Sequence, residues 1–319
     1  MPEPADPDAA ASRLRVGFLG PVGTFTEQAL LTQPDLAEST LVPFATFSDV
    51  LAATDDGDVD VGFVAIENSI EGTVNVTLDT LAFDVDLMIQ REVVISVQLN
   101  LLGQPGAALA DIDRVMSFPH ATAQCRAFLQ RELPTARTEA TNSTADAARL
   151  LAESGDRNAA AIATSLAAKV YDLEVLAEDV EDHPENQTRF FAVAPHAIPA
   201  PTGHDKTTLV VFQHSDRPGS LLSILQEFAA RAINLTKLES RPTKRGLGDY
   251  CFILDLEGHV ADELVADCLR NLKSKHAEVK LLGSYPAAGE HGPALRRDSD
   301  AAWKAADDWL ADLRGRIGR

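Results

Sequence analysis

Polar side chains able to do chemistry gather at the ends of apolar runs. Glu67, Asn68, Ser69 and Thr73 follow the apolar stretch 59–66. The carboxyl end of a strand is where open α/β folds place their ligands. Ser117 ends a second apolar run, with His120 and Gln124 just beyond it. Asn142, Ser143 and Thr144 open a helix-like segment. Thr188 starts another apolar run, and strand alternation puts Thr188 and Phe190 on one side and Arg189 on the other. Gly23 and Thr24 lie in GPVGTFTE (20–27). Free N–H groups at such a helix start suit a carboxylate or phosphate. Each segment also has a structural reading: a capped turn, a helix cap at Ser117 or Ser143, or a threonine that simply favours a strand.

Other chemistries are excluded. The three cysteines, Cys125, Cys251 and Cys268, are far apart and form no CxxC pair, which argues against a disulfide framework or zinc ribbon. The eight histidines form no HExxH, and no metal site is expected. GxGxxG, GxxxxGK[ST] and GxSxG are all absent, which removes the usual dinucleotide, P-loop and hydrolase-elbow readings.

The elements that must position these residues follow a strand–turn–helix rhythm. Residues 14–19 read as a buried strand running into GPVGTFTE, where Thr24-x-x-Glu27 is a capping box. A strand at 40–44 precedes a helix opening at Thr46, and a strand at 59–66 precedes a helix after Thr73. Beyond a β-rich stretch at 93–102, strands are expected near 114–117, 136–140, 159–163 and 187–194. Helices are expected at 119–132, from Ser143 to 151, and from Thr164. The alternation predicts an α/β fold with parallel strands, built as two lobes facing a cleft.

Residues 195–205 form a Pro-rich linker. Residues 206–285 then read as βαββαβ, a small ferredoxin-like sandwich. Within it GSLL (219–222: Gly219, Ser220, Leu221, Leu222) opens a helix, and ESRP (239–242: Glu239, Ser240, Arg241, Pro242) ends a strand. Residues 286–319 are a tail with an amphipathic helix from about 299, carrying Trp303, Ala306, Leu310, Leu313 and Ile317 at helical spacing.

The chain has 319 residues, enough for about two domains, and a net charge of −20. The excess is confined: residues 1–205 hold 11 basic and 32 acidic side chains, a net −21, and only one lysine, Lys169. Such charge disfavours nucleic acid and anionic membranes as partners. Residues 1–13 are acidic and Pro/Ala-rich, without the pattern of a signal peptide, so a flexible tail on a cytoplasmic protein is expected.

Seven segments in this order resemble prephenate dehydratase carrying a C-terminal ACT regulatory domain: GPVGTFTE, ENSIEGTV (67–74), SFPHATAQC (117–125), TNSTADAA (141–148), NQTRFFA (186–192), GSLL and ESRP. The resemblance covers residues 14–285. It implies a two-lobed, periplasmic-binding-protein-like catalytic domain at 14–194, then the ACT domain. The implied reaction is cofactor-free decarboxylation and dehydration of prephenate to phenylpyruvate.

By the same resemblance Thr188 assists the departing hydroxyl, with Glu67 as the alternative acid if burial raises its pKa and Asn68 beside them. Gly23, Thr24, Ser69, Thr73, Ser117, Gln124, Ser143 and Phe190 would hold substrate. Phenylalanine would act as feedback effector between GSLL, Asn234 and ESRP in a homo-oligomer, a dimer or dimer of dimers. Two rivals stay open. A non-catalytic amino-acid sensor would show no turnover, and a related lyase would prefer arogenate, given an acidic partner near the substrate side chain.

Overall fold

The computed structural model describes residues 13–195, 197–213, 217–244, 246, 249–275, 277–289 and 308–316. The chain divides into two compact units, residues 1–77 with 94–190, and residues 78–93 with 191–319.

The first sheet contains β1 (Arg15–Leu19), β2 (Thr40–Phe44), β3 (Val61–Asn68), β4 (Gly72–Thr73), β5 (Leu87–Ser96) and β11 (Gln187–Pro195). Its order is β2-β1-β3-β11-β5, with β4 paired to β3. Helices α1 (Phe25–Leu31), α2 (Pro34–Ala37), α3 (Phe47–Asp55) and α4 (Asn75–Phe83) connect these strands. The second sheet, in order β10-β6-β9-β7-β8, holds β6 (Asn100–Gly103), β7 (Arg114–Ser117), β8 (Arg137–Ala140), β9 (Ala159–Ala163) and β10 (Glu174–Ala177). Its helices are α5 (Pro119–Gln124), α6 (Arg126–Glu132), α7 (Thr144–Ser154) and α8 (Ser165–Val170).

Pairing is parallel between β1, β2 and β3 and between β7, β8 and β9, as the rhythm predicts, but β6 runs antiparallel to both β9 and β10. The stretch predicted at 93–102 is in fact two strands, one in each sheet. The chain crosses between the lobes at 97–99 and returns at 178–186. These crossings pair with each other: Val97 N donates to Asn186 O at 2.8 Å, and Val180 N to Leu99 O at 2.8 Å.

Local chemistry explains four of the helix starts. Thr24, Thr46, Ser143 and Thr164 each cap a helix by accepting from the N–H three residues on. The single helix expected at 119–132 is broken at Cys125 (φ −113, ψ 19). The returning crossover is the cause. Asp182 N–H takes the Gln124 carbonyl at 2.6 Å, and the Asp182 carboxylate accepts from Ala127 N at 3.1 Å.

The glycine loop before α1 serves docking between the lobes. Gly23 has φ +93, and a Cβ there would lie 3.1 Å from Ala167 Cα, so only glycine fits. Its carbonyl accepts from Thr164 Oγ1 at 2.7 Å, and the Val22 carbonyl from Tyr171 Oη at 2.8 Å. Its N–H donates to the carboxylate of buried Glu27. Burial pushes the Glu27 pKa up, only partly offset by the Gly23 N–H.

A raised folded-state pKa means that Glu27 subtracts stability as pH climbs through the carboxylate range. Glu27→Gln keeps an acceptor for Gly23 N–H and removes that charge. Its Tm should gain on wild type between pH 4 and pH 8, checked by thermal unfolding at several pH values.

In the second unit, β12 (Asp205–Gln213), β13 (Leu235–Pro242), β14 (Tyr250–Glu257) and β15 (Ala277–Pro286) form an antiparallel sheet in the order β13-β14-β12-β15. Helices α9 (Ser220–Ala229) and α10 (Glu263–Lys275) pack on it around Ile224, Phe228, Val265, Cys268 and Leu272. This is the expected βαββαβ sandwich. Residues 78–93 join this unit through specific polar bonds. Asp79 on α4 takes Arg241 in a two-pronged pair at 2.9 and 3.1 Å. Lys280 Nζ donates to the carbonyls of Leu81 and Val85 near the α4 C-terminus, at 2.9 and 2.6 Å.

In the tail, residues 308–315 are helical, with Trp309 63% exposed. Trp303, Ala306 and Ile317 of the expected amphipathic helix lie outside the described residues. No helix among the described residues is long and apolar enough to cross a membrane.

Candidate active site

The end of β3 and the start of β11 lie side by side. Ser69 N donates to Gln187 O at 2.9 Å, and Gln187 N to Ser69 Oγ at 3.0 Å. This pairing places Asn68 against Thr188. Asn68 Oδ1 accepts from the N–H groups of Ile70 and Glu71, each at 3.0 Å. Those two donors fix which way the amide faces. Its Nδ2 therefore points at Thr188 Oγ1, 2.9 Å away, and at Asn186 Oδ1, also 2.9 Å away. A threonine hydroxyl that accepts from an amide keeps its own hydrogen for another acceptor.

A polar chain continues into the second lobe. Asn186 Nδ2 donates to Gln124 Oε1 at 3.1 Å, and Gln124 Nε2 to Glu71 Oε1 at 3.1 Å. Glu71 Oε2 accepts from His120 Nδ1 at 2.6 Å. Asn68, Asn186 and Thr188 line a cavity of about 140 Å³ with His120, Gln124 and Thr144. Phe25, Val97, Leu99 and Phe118 form its apolar wall, and Phe118 stacks on His120. The polar lining is amide, hydroxyl and imidazole. Two wider surface grooves, of about 510 and 630 Å³, include neither Thr188 nor Asn68 in their lining.

Several residues predicted from sequence are placed elsewhere. Glu67 neighbours Asn68 on β3 and is not among the residues that line the cavity with Thr188. Its Oε2 lies 3.6 Å from Arg189 Nη1. The side chain that donates to the Thr188 hydroxyl is Asn68, its neighbour. Phe190 shares the face of Thr188 but sits two residues deeper, 1% exposed and stacked on Phe63 at 5.4 Å. Ser117 is buried and donates to Ile162 O at 2.7 Å, so its hydroxyl belongs to the second sheet.

Gly23 has its N–H and carbonyl engaged as described, and Thr24 Oγ1 donates to Leu19 O at 2.9 Å. Ser143 caps α7, leaving Thr144 at the cavity. Ser69 donates to Asn186 Oδ1 at 3.2 Å and braces the β3–β11 junction. Thr73 pairs opposite Glu67 in the β3–β4 hairpin. Gln124 does line the cavity.

Glu71, His120 and Asn186 also meet here, although the sequence named His120 only as following the Ser117 run and held Glu71 and Asn186 only inside the motifs ENSIEGTV and NQTRFFA. Asn186 was detectable, because it precedes Thr188 by two and shares its side. Glu71 and His120 come from different lobes, and no local pattern joins them.

Of the expected effector residues, Gly219 (φ +87) caps α9, and Ser220, Leu221 and Leu222 form its first turn; Leu222 is 59% exposed. The Asn234 carbonyl accepts from Glu257 N at 3.0 Å. Glu239, Ser240, Arg241 and Pro242 lie on β13, the edge strand of its sheet. Arg241 is held by Asp79, and that contact raises its pKa. Among the described residues, no group of three or more His, Cys, Asp or Glu is placed to hold a metal ion.

Known proteins bear on this geometry. The family model described as prephenate dehydratase matches residues 16–198, and that of the ACT domain matches residues 207–274. A prephenate dehydratase of Mycolicibacterium vanbaalenii is 43% identical over 90% of this chain and 96% of its own. The crystal structure of a prephenate dehydratase from Arthrobacter aurescens in complex with L-Phe is 40% identical. It superposes with a TM-score of 0.87 over 95% of this chain and 100% of that one. GqqA, described as a novel type of quorum quenching acylase, is 31% identical, with a TM-score of 0.77 over 86% of this chain and 98% of its own. Shared motifs, a family model over more than half the chain and a near-full-length relative thus agree: the chain belongs to the prephenate dehydratase family and carries an ACT domain at its C-terminal end.

Proposed function

We propose that the chain converts prephenate to phenylpyruvate, carbon dioxide and water, as a cofactor-free carbon–oxygen lyase of phenylalanine biosynthesis in the cytoplasm. Prephenate is a dianion with a ring carboxylate, a pyruvyl carboxylate and a ring hydroxyl. As the ring carboxylate leaves as CO2, its bonding pair enters the ring and the opposite hydroxyl departs, taking one proton from solvent to leave as water and completing an aromatic ring. Much of the driving force lies in the substrate. The protein must hold a reactive conformer and stabilise the departing oxygen.

The observation that carries this reading is Thr188 Oγ1 accepting from Asn68 Nδ2 at the cavity. That contact leaves the Thr188 hydrogen for the departing oxygen. Thr188 is a hydrogen-bond donor rather than a full acid, since a threonine hydroxyl is a poor proton source. Neutral groups such as Gln124, Asn186 and Thr144 suit a carboxylate that must be lost, because a tight cationic pair would deepen the ground state. Both oxygens of Glu71, an acid that touches two cavity-lining residues, are already engaged, which favours a keto acid over the amino group of arogenate.

The fold alone does not select this reaction, since GqqA shares it and is described as an acylase. The test is purified protein mixed with prephenate, with phenylpyruvate followed by absorbance. A non-catalytic sensor would release none.

The proposed organisation is a catalytic domain at 14–194, a linker at 195–205 and an ACT domain at 206–285. Phenylalanine is the proposed effector, bound between GSLL of one chain and ESRP of its neighbour in a homotetramer built from dimers. Support comes from β13 standing at a sheet edge, with Leu222 and Leu238 exposed. A coupling of about 1–3 kcal/mol between effector and substrate sites is typical. Millimolar phenylalanine should therefore change kcat/KM for prephenate by roughly 5- to 150-fold, downward. Identical initial rates with and without phenylalanine would refute the regulation.

A further inference from the structure

Glu71 stands outside the cavity lining, yet both of its carboxylate oxygens are held from the other lobe. His120 Nδ1 lies 2.6 Å from Oε2, and Gln124 Nε2 donates to Oε1 at 3.1 Å. Its backbone N–H is fixed at 3.0 Å by Asn68 Oδ1, the side chain whose Nδ2 reaches Thr188. Glu71 thus grips two cavity-lining residues of α5 from the β3–β4 hairpin of the first lobe. The His120 and Glu71 side chains are 57% and 41% exposed, and an exposed pair of this kind adds little to stability.

Its consequence is geometric. Held by Glu71 through one end of its amide, Gln124 turns the other end, Oε1, toward Asn186. Asn186 Oδ1 in turn receives Asn68 Nδ2 and Ser69 Oγ. A carboxylate left unheld beside a cavity for a dianion would also repel it. His120 and Gln124 supply a donor to each oxygen.

We propose that Glu71 is an inter-lobe clasp, a positioning residue that closes α5 over the bound substrate and fixes the Gln124–Asn186–Asn68 relay behind Thr188. The clasp deepens the prephenate reading and rests on it. Glu71 acts through the residues it holds, so its loss falls on substrate capture and alignment. Glu71→Gln keeps an acceptor for Gln124 and offers an N–H to His120 Nδ1 when the ring carries its proton on Nε2 instead. It should therefore preserve the clasp without the charge.

The test compares wild type with Glu71→Ala, Glu71→Gln, His120→Ala and the Glu71→Ala/His120→Ala double variant, by prephenate kinetics and thermal unfolding. Glu71→Ala should lower kcat/KM about tenfold, chiefly through KM, a loss of the size that misplaced binding groups produce. Its Tm should match wild type. Glu71→Gln should recover most of the activity. The double variant should be no worse than Glu71→Ala alone, because the two residues share one interaction. Wild-type kinetics in Glu71→Ala, a Glu71→Gln as poor as Glu71→Ala, losses that multiply in the double variant, or a matching fall in Tm would each overturn the clasp. Wild-type protein that leaves prephenate unchanged overturns the underlying reading, and the clasp with it. An active wild type with an indifferent Glu71 overturns the clasp alone.

Discussion

Thr188→Ala is expected to lower kcat for prephenate by roughly 100- to 1,000-fold, the loss typical of removing one preorganised donor to a developing oxyanion. KM should change little. In the proposed mechanism the hydroxyl acts as charge develops on the departing oxygen, so deleting it removes an interaction stronger in the transition state than in the bound substrate. The backbone stays, so β11 keeps its pairing, and only the Cγ2 methyl is lost along with the hydroxyl. Thr188→Ser restores the donor on a smaller side chain and should keep activity within about tenfold of wild type, the remaining loss coming from a freer χ1. Steady-state kinetics on both variants checks the pair of outcomes. A Thr188→Ala enzyme with wild-type kcat would remove Thr188 from the reaction.

Asn68→Asp is expected to be almost as damaging, although it is nearly isosteric. Asn68 Oδ1 accepts from Ile70 and Glu71, while Nδ2 donates to Thr188 and Asn186. An aspartate preserves the first pair and inverts the second, since a carboxylate only accepts. Thr188 would then turn its hydrogen toward Asp at position 68 and away from the substrate, and Asn186 would face a negative charge. A kcat loss of about 100-fold or more follows from that reversal, again of the size set by one misdirected donor. Asn68→Ala should lose kcat too, but also part of the hairpin geometry, because the Ile70 and Glu71 N–H groups lose their acceptor. The two variants therefore separate in thermal unfolding: Asn68→Asp stays near wild type and Asn68→Ala falls. Asn68→Asp with unimpaired kcat would show that the Thr188 hydrogen is directed by some other group.

Much of this was legible where one stretch of chain carries its own instruction. Thr46, Ser143 and Thr164 announce their helices because the cap and the N–H it satisfies are three residues apart. The βαββαβ order of the small sandwich follows from apolar periods alone. Thr188 is proposed on the resemblance of its surrounding motif, not on any property of a lone threonine.

What stayed hidden depends on register and on residues far apart in sequence. Whether Glu67 or its neighbour Asn68 faces Thr188 depends on how β3 lies against β11, and a shift of one residue exchanges them. The glycine loop reads as an anion cradle until Thr164, Tyr171 and Glu27 are seen to occupy its polar groups. The break at Cys125 needs Asp182, 57 positions away, and the pull of residues 78–93 toward the small sandwich needs Arg241 and Lys280.

The first two thirds of the chain carry a net −21, while the proposed substrate is a dianion, so long-range attraction does not deliver it. Recognition then falls to short-range neutral donors around Thr188. The most direct test of that account is a single-turnover mixture of excess protein with prephenate, following phenylpyruvate and CO2 together for wild type and Thr188→Ala. The account predicts one equivalent of each product from wild type, formed far faster than in buffer, and a rate at least about 100-fold lower from the variant. Equal rates for the two proteins, or a wild type no faster than buffer, would contradict it.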